Sequence, residues 1–282
     1  MASYEERRLQ SVKAHQQKGQ EARRKLCYCS KVAERAERYE DIIRNVKNII
    51  KIATQREKGE EGAELSVEER NLMSVAYKNV VGKRRSSWRT LTAIRNKYEK
   101  HEQDDAPATL TTKYIEKIED EIVGYCLDIQ AEVDKLFPLV TSNANRVFYR
   151  KLAADYERYL CEIYGGEDLK RSSEKALVYY KLAAVDADKH LHPTDPIRLS
   201  VALNFSVYYY ETLRAPDRAC HLARAAFDDA LAELDTLPEM HYKDSTILLQ
   251  LLRDNLQKWA NKDDFGPIIR GAKISSDDHG VT

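Results

Sequence analysis

Apolar residues recur at three- and four-residue steps along most of this chain. The clearest run is Ile118, Ile122, Cys126, Ile129, Val133 and Leu136, one stripe on one helix face. Pro138 follows and stops that helix. Ser142 is placed to cap the next, which carries Phe148, Leu152 and Tyr159. Upstream, Ser66 and Glu69 form a capping box at the start of another helix. Breaks fall at "YGGED" (164–168), "HLHPTDP" (190–196), "RAPDRA" (214–219) and "TLPEMHYKD" (236–244), with Pro196 inside the first turn of the helix it opens. These breaks delimit antiparallel helices of roughly 15–30 residues joined by short connections. No stretch alternates apolar and polar long enough to read as a strand. The class is all-α, with about nine helices. "EKALVYYKLAAVDADKHL" (174–191) is similar to one tetratricopeptide helix, but no 34-residue recurrence accompanies it.

The ends read differently. Residues 1–26 are polar, with Tyr4 the one aromatic before Arg24, and are expected to form a disordered or loosely helical extension. Residues 57–69 hold six glutamates and two glycines, a loop leading into a helix. The expected organisation is a single helical domain over 27–261 and a flexible tail over 262–282.

Composition narrows the function. The chain has 282 residues, with 46 Lys+Arg against 46 Asp+Glu, and this balance argues against a general polyanion binder. Glycine and proline together supply 17 residues, few for so long a chain, as helices require. The five cysteines are odd in number and irregularly spaced, and Cys27 and Cys29 have no second pair. They read as reduced thiols rather than zinc ligands. No apolar stretch follows the N-terminal charges and no run reaches the roughly 20 apolar residues of a membrane span. The expected location is the cytoplasm, with access to the nucleus. No metal, cofactor, membrane or nucleic-acid partner is expected.

Charge is nevertheless segregated. Between Glu69 and Glu99 there are eight Lys or Arg and no acid. On a helix, Lys78, Arg85 and Arg89 fall within roughly 40° of one another, while Arg84 points elsewhere and has a different job. "FYRKLAADYERYLCEIY" (148–164) puts Lys151 and Arg158 on one face, with Tyr159 adjacent. Glu162, four residues after Arg158, is placed to buttress its guanidinium. Guanidinium forks with a tyrosine hydroxyl suit a phosphate monoester, which carries about −1.5 to −2 charges. A third pattern lies in "ALNFSVYYYE" (202–211) and "STILLQLLRDNLQKW" (245–259). Leu203 and Val207, Ile247 and Leu251, and Asn255 and Trp259 are spaced by four, with Asn204 and Asn255 as amides among apolar neighbours. They fit either an ordinary helix core or a groove wall that holds a peptide backbone.

These segments together resemble the 14-3-3 family. "RYEDI" (38–42), "RNLMSVAYKNVVGKRRSSWR" (70–89), "FYRKLAADYERYL" (148–160), "PIRLSVALNFSVYYYE" (196–211), "AFDDALAELDTL" (226–237) and "YKDSTILLQLLRDNLQKW" (242–259) carry the likeness, in the family's order. The resemblance implies a nine-helix antiparallel bundle that dimerises, with itself or a paralogue, into a cup with two amphipathic grooves. It implies phosphorylated client proteins as partners, bound through phosphoserine or phosphothreonine. Lys78, Arg85, Arg89, Arg158 and Tyr159 would take the phosphate. Lys151, Leu203, Asn204, Val207, Glu211, Ile247, Leu251, Asn255 and Trp259 would line the groove. Val32, Ala36, Arg38, Asp41, Ser87, Tyr114, Lys117 and Glu121 would form the dimer seam, with Arg38 and Asp41 pairing with Glu121 and Lys117. Departures from the family pattern are the long N-terminal extension, a longer connection over 45–61, Lys83, Lys258 and a less acidic tail. Gly82 lies within a helix and is expected to mark a close helix contact. Ser87, preceded by Arg84 and Arg85, suits a basophilic kinase.

Two other readings use the same residues. A helical scaffold would bind partners regardless of phosphorylation. A helical nucleic-acid binder would turn the basic stripe to phosphodiesters, with steep salt dependence. An enzyme is not expected: no catalytic residues are assigned, because the seven histidines are scattered and no Gly-rich phosphate loop occurs.

Overall fold

The computed structural model describes residues 4–99, 105–236 and 239–259. Among them the secondary structure is nine α-helices, two short 3-10 turns and no strand. The helices are α1 (Tyr4–Arg35), α2 (Tyr39–Ala53), α3 (Val67–Glu99), α4 (Asp105–Leu136), α5 (Asn143–Leu160), α6 (Gly166–His190), α7 (Pro196–Glu211), α8 (Pro216–Ala232) and α9 (Glu239–Trp259).

Local signals set most boundaries. The Glu69 N–H bonds the Ser66 hydroxyl at 3.2 Å, and Glu69 accepts from the Ser66 N–H at 2.9 Å, closing the capping box at α3. Ser142 accepts from the Asn145 N–H to cap α5, and Asp195 from the Ile197 N–H at 2.7 Å to cap α7. α4 ends at Leu136, where Pro138 turns the chain into a short 3-10 segment. The Ile118–Leu136 stripe is buried throughout.

The chain divides into two compact units, Met1–Leu191 and His192–Thr282. The first unit's core is built by α1 to α5. Ile42, Val46, Met73, Tyr77, Ile122, Ile129 and Tyr156 pack in it. The second unit's core joins Leu199 and Leu203 of α7 to Ala223 and Ala230 of α8 and Leu249, Leu252 and Leu256 of α9.

Residues 4–26, expected as a disordered or loosely helical extension, are helical and run into the rest of α1 without a break. The cause is long-range. Arg23 is buried, and its Nε donates to Glu69 at 2.9 Å while its other nitrogens donate to the carbonyls of Gly62 and Glu64. Arg56 reaches the Gln16 carbonyl at 3.2 Å. The stretch 45–61 is likewise not all connection. Val46, Ile49, Ile50 and Ala53 are buried at helical spacing and form the second half of α2. The connection itself turns through Gly59 and Gly62, whose φ of 87° and 80° favour glycine. Its Glu64 then receives the Thr141 and Ser142 N–H groups and the Asn145 amide, tying it to the start of α5. Burial works against the Glu64 carboxylate, but these hydrogen bonds outweigh it and hold its pKa below the usual range. The tail over 262–282 lies outside the described residues.

Candidate functional site: a cationic cluster and an amphipathic face

The cationic cluster belongs to the first unit. Tyr77, Val80 and Val81 are buried on α3, while Lys78 and Arg89 are exposed and Arg85 is half-buried. On α5, Tyr149, Leu152 and Tyr156 are the inward residues. The Tyr77 and Tyr156 rings, one from each helix, meet edge to face at 6.4 Å. Tyr159 then stands between two guanidiniums. The Arg85 guanidinium carbon is 4.0 Å and that of Arg158 4.7 Å from its ring centre.

Each arginine has its own anchor. Arg158 is 7% exposed; its Nε donates to the Tyr180 hydroxyl at 3.1 Å and it lies 3.6 Å from Asp155. Tyr180 in turn donates to Asp155, and Lys151 donates to the same carboxylate at 2.6 Å. Lys151 is thus paired. Burial would raise the Asp155 pKa, but the charges of Lys151 and Arg158 dominate and lower it. Arg85 is held by Glu162, through Nε to Oε2 at 3.0 Å and Nη2 to Oε1. Arg89 donates to the same Glu162 at 3.1 Å and is 59% exposed. This corrects the expectation that Glu162 supports Arg158. The four-residue spacing in the chain suggested that pair, and the fold selects a partner 77 residues away. Burial disfavours the Glu162 carboxylate, yet the Arg85 hydrogen bonds and the charges of Arg85, Arg89 and Arg158 hold its pKa low. Lys78 is exposed, with no ion pair among the described residues. Arg84 points away, as expected, donating to Glu121 at 2.7 Å and covering the Tyr125 ring.

The second unit carries the apolar face. Ile247 and Leu251 of α9 are 50% and 44% exposed, while Leu249, Leu252 and Leu256 fill the core. Val207, Asn204, Asn255 and Trp259 are half-buried, and Glu211 is exposed at the end of α7. The Trp259 indole stacks on Tyr210 with centres 4.7 Å apart. Leu203 departs from the expectation of a wall residue, because it packs into the second unit's core.

The residues expected at a dimer seam all belong to the first unit. Val32 and Tyr114 are each 52% exposed, and Ala36, Arg38, Ser87 and Lys117 are exposed. Within one chain Arg38 donates to Asp41, and Glu121 receives Arg84. Sequence reading missed Asp155 and Tyr180, which orient Arg158. Their signal was local for Asp155, three residues before Arg158, and absent for Tyr180 on another helix.

Among the described residues no group of three or more His, Cys, Asp or Glu is arranged to hold a metal ion, and no helix is long and apolar enough to cross a membrane. All five cysteines are free.

The 14-3-3 protein family model matches residues 29–260. A 14-3-3 protein homolog of Trichoderma harzianum is 50% identical over 84% of this chain and 87% of its own length. The 14-3-3-like protein GF14 omega of Arabidopsis thaliana is 47% identical over 89% and 95%, and 14-3-3 protein epsilon of Drosophila melanogaster is 49% identical over 83% and 86%. With its all-helical architecture and a match across the bulk of its length, the chain belongs to the 14-3-3 family.

Proposed function

We propose that this protein is an adaptor that binds client proteins through phosphoserine or phosphothreonine and so regulates their activity, location or assembly. The observation that carries the reading is the cluster on α3 and α5, where Arg85 and Arg158 flank the Tyr159 ring and Lys78 stands unpaired among the described residues. A phosphate dianion takes donors from both arginines, the Lys78 ammonium and the Tyr159 hydroxyl. Each charge-assisted contact is worth about 1.5–3 kcal/mol, so three or four, less ordering costs, reach micromolar affinity. In the second unit, taken by itself, Ile247, Leu251 and Val207 offer an apolar face and Asn204 and Asn255 amide groups of the kind that suit a peptide's side chains and backbone. No step of this function is catalytic. The working form is a dimer in the cytoplasm, with access to the nucleus.

The test is a titration of a labelled phosphoserine peptide and its unphosphorylated twin against wild type and Lys78→Glu. Wild type is expected to bind the phosphopeptide alone, and the variant to lose it. Equal, weak binding of both peptides would favour a scaffold indifferent to phosphorylation. Binding of any nucleic acid with steep salt dependence would favour the phosphodiester reading.

A further inference from the structure

Glu162 sits against the cluster that should attract anions, and the proposed function gives this carboxylate no part. Its position is specific. It follows the end of α5, where its N–H bonds the Tyr159 carbonyl at 3.2 Å. Its side chain is 20% exposed and takes Arg85 by one edge of the guanidinium, Nε and Nη2 together. Oε2 also accepts from Arg89. The Tyr159 ring closes one face of Arg85 at 4.0 Å. With one edge and one face occupied, Arg85 has no hydrogen bond from Nη1 among the described residues, and its side chain is 15% exposed. A planar fork fixed in this way loses little further freedom on binding. Arg158 repeats the scheme with Asp155, Tyr180 and the same Tyr159 ring.

We propose that Glu162 is the positioning residue of the anion site, holding Arg85 and Arg89 in one preset arrangement so that a phosphate monoester meets donors already aimed. This rests on the phosphate-binding reading above. Its consequence runs against simple electrostatics. Removing a negative charge beside three arginines should strengthen binding of any anion if charge alone mattered. If positioning matters more, removal weakens binding.

The experiment compares wild type, Glu162→Gln and Glu162→Asp by fluorescence anisotropy with the phosphoserine peptide and its unphosphorylated twin. Thermal unfolding of each protein runs alongside. The 15N resonance of the Arg85 Nε–H reports the contact directly: it exchanges slowly in wild type and is lost in Glu162→Gln. The expected result is selective wild-type binding, with phosphopeptide affinity reduced about 10-fold in Glu162→Gln and by less in Glu162→Asp, which keeps the charge. Equal or tighter binding by Glu162→Gln overturns the proposal, since Glu162 would then compete with the ligand. If Glu162→Gln does not fold, wild-type affinity in a folded Glu162→Asp whose Arg85 resonance is lost overturns it as well. If wild type ignores the phosphate, the binding reading itself falls, a result distinguishable because it does not involve the variants.

Discussion

At the scale of single residues, the signs of effects follow from what each side chain meets. Gly82 is the plainest case. The expectation of a close helix contact fails among the described residues, since a Cβ at position 82 would meet nothing within 4 Å. Gly82 therefore costs α3 its helix propensity with no compensating contact among the described residues. Gly82→Ala is expected to stabilise the protein by about 1 kcal/mol. Urea unfolding checks this, and destabilisation would mean that something outside the chain packs against residue 82. Glu162 teaches the opposite lesson. Its role depends on Arg85, far off in sequence, so spacing along the helix pointed to the wrong arginine. Residue identities alone mark the α3 cations as a group, because eight Lys or Arg without an acid is a local signal. They could not say which acid neutralises which cation.

At the scale of elements, the division of α9 is the informative feature. Leu251 and Leu252 are adjacent, yet Leu251 is 44% exposed and Leu252 is fully buried. The sequence pattern fits either a core or a groove wall for this helix, and the structure gives α9 one buried side and one exposed apolar side. Leu252→Ala should cost about 2–5 kcal/mol, as buried leucines do. Leu251→Ala should change stability by less than about 0.5 kcal/mol yet weaken peptide binding. Unfolding and peptide titration of the two variants separate these roles, and equal destabilisation by both would remove Leu251 from the binding face. Helix starts and stops were legible wherever a cap, a proline or a glycine marked them, as at Ser66, Ser142 and Pro196. The N-terminal run of α1 was not, because its sequence is polar and its anchorage is distant. Arg23 meets Glu69 across 46 residues and buries a charge-paired guanidinium that composition would assign to solvent. The second half of α2 was missed for a simpler reason: its stripe of Val46, Ile49, Ile50 and Ala53 was read as part of a long connection.

At the scale of the whole molecule, the open question is what covers the exposed apolar residues of the first unit. Val32 lies on α1 and Tyr114 and Leu110 on α4, each more than half exposed. In the proposed dimer a second copy covers the Val32 and Tyr114 surfaces, and Arg38, Asp41, Lys117 and Glu121 exchange their partners across the seam. Dimerisation matters because it changes affinity without any new contact at the phosphate. A client with two phosphoserines meets the second site at an effective concentration of order mM, so a tandem phosphopeptide should bind roughly 10²–10⁴-fold more tightly than a single one. Sedimentation of wild type should give twice the chain mass. Replacing Val32 and Tyr114 together with glutamate should give the single-chain mass, because two buried, unpaired charges cannot be accommodated in an apolar seam. That variant should keep wild-type affinity for the single phosphopeptide and lose the gain for the tandem one. A wild-type protein that sediments as one chain, or a monomeric variant that retains the tandem advantage, would show that the two sites do not act through this seam.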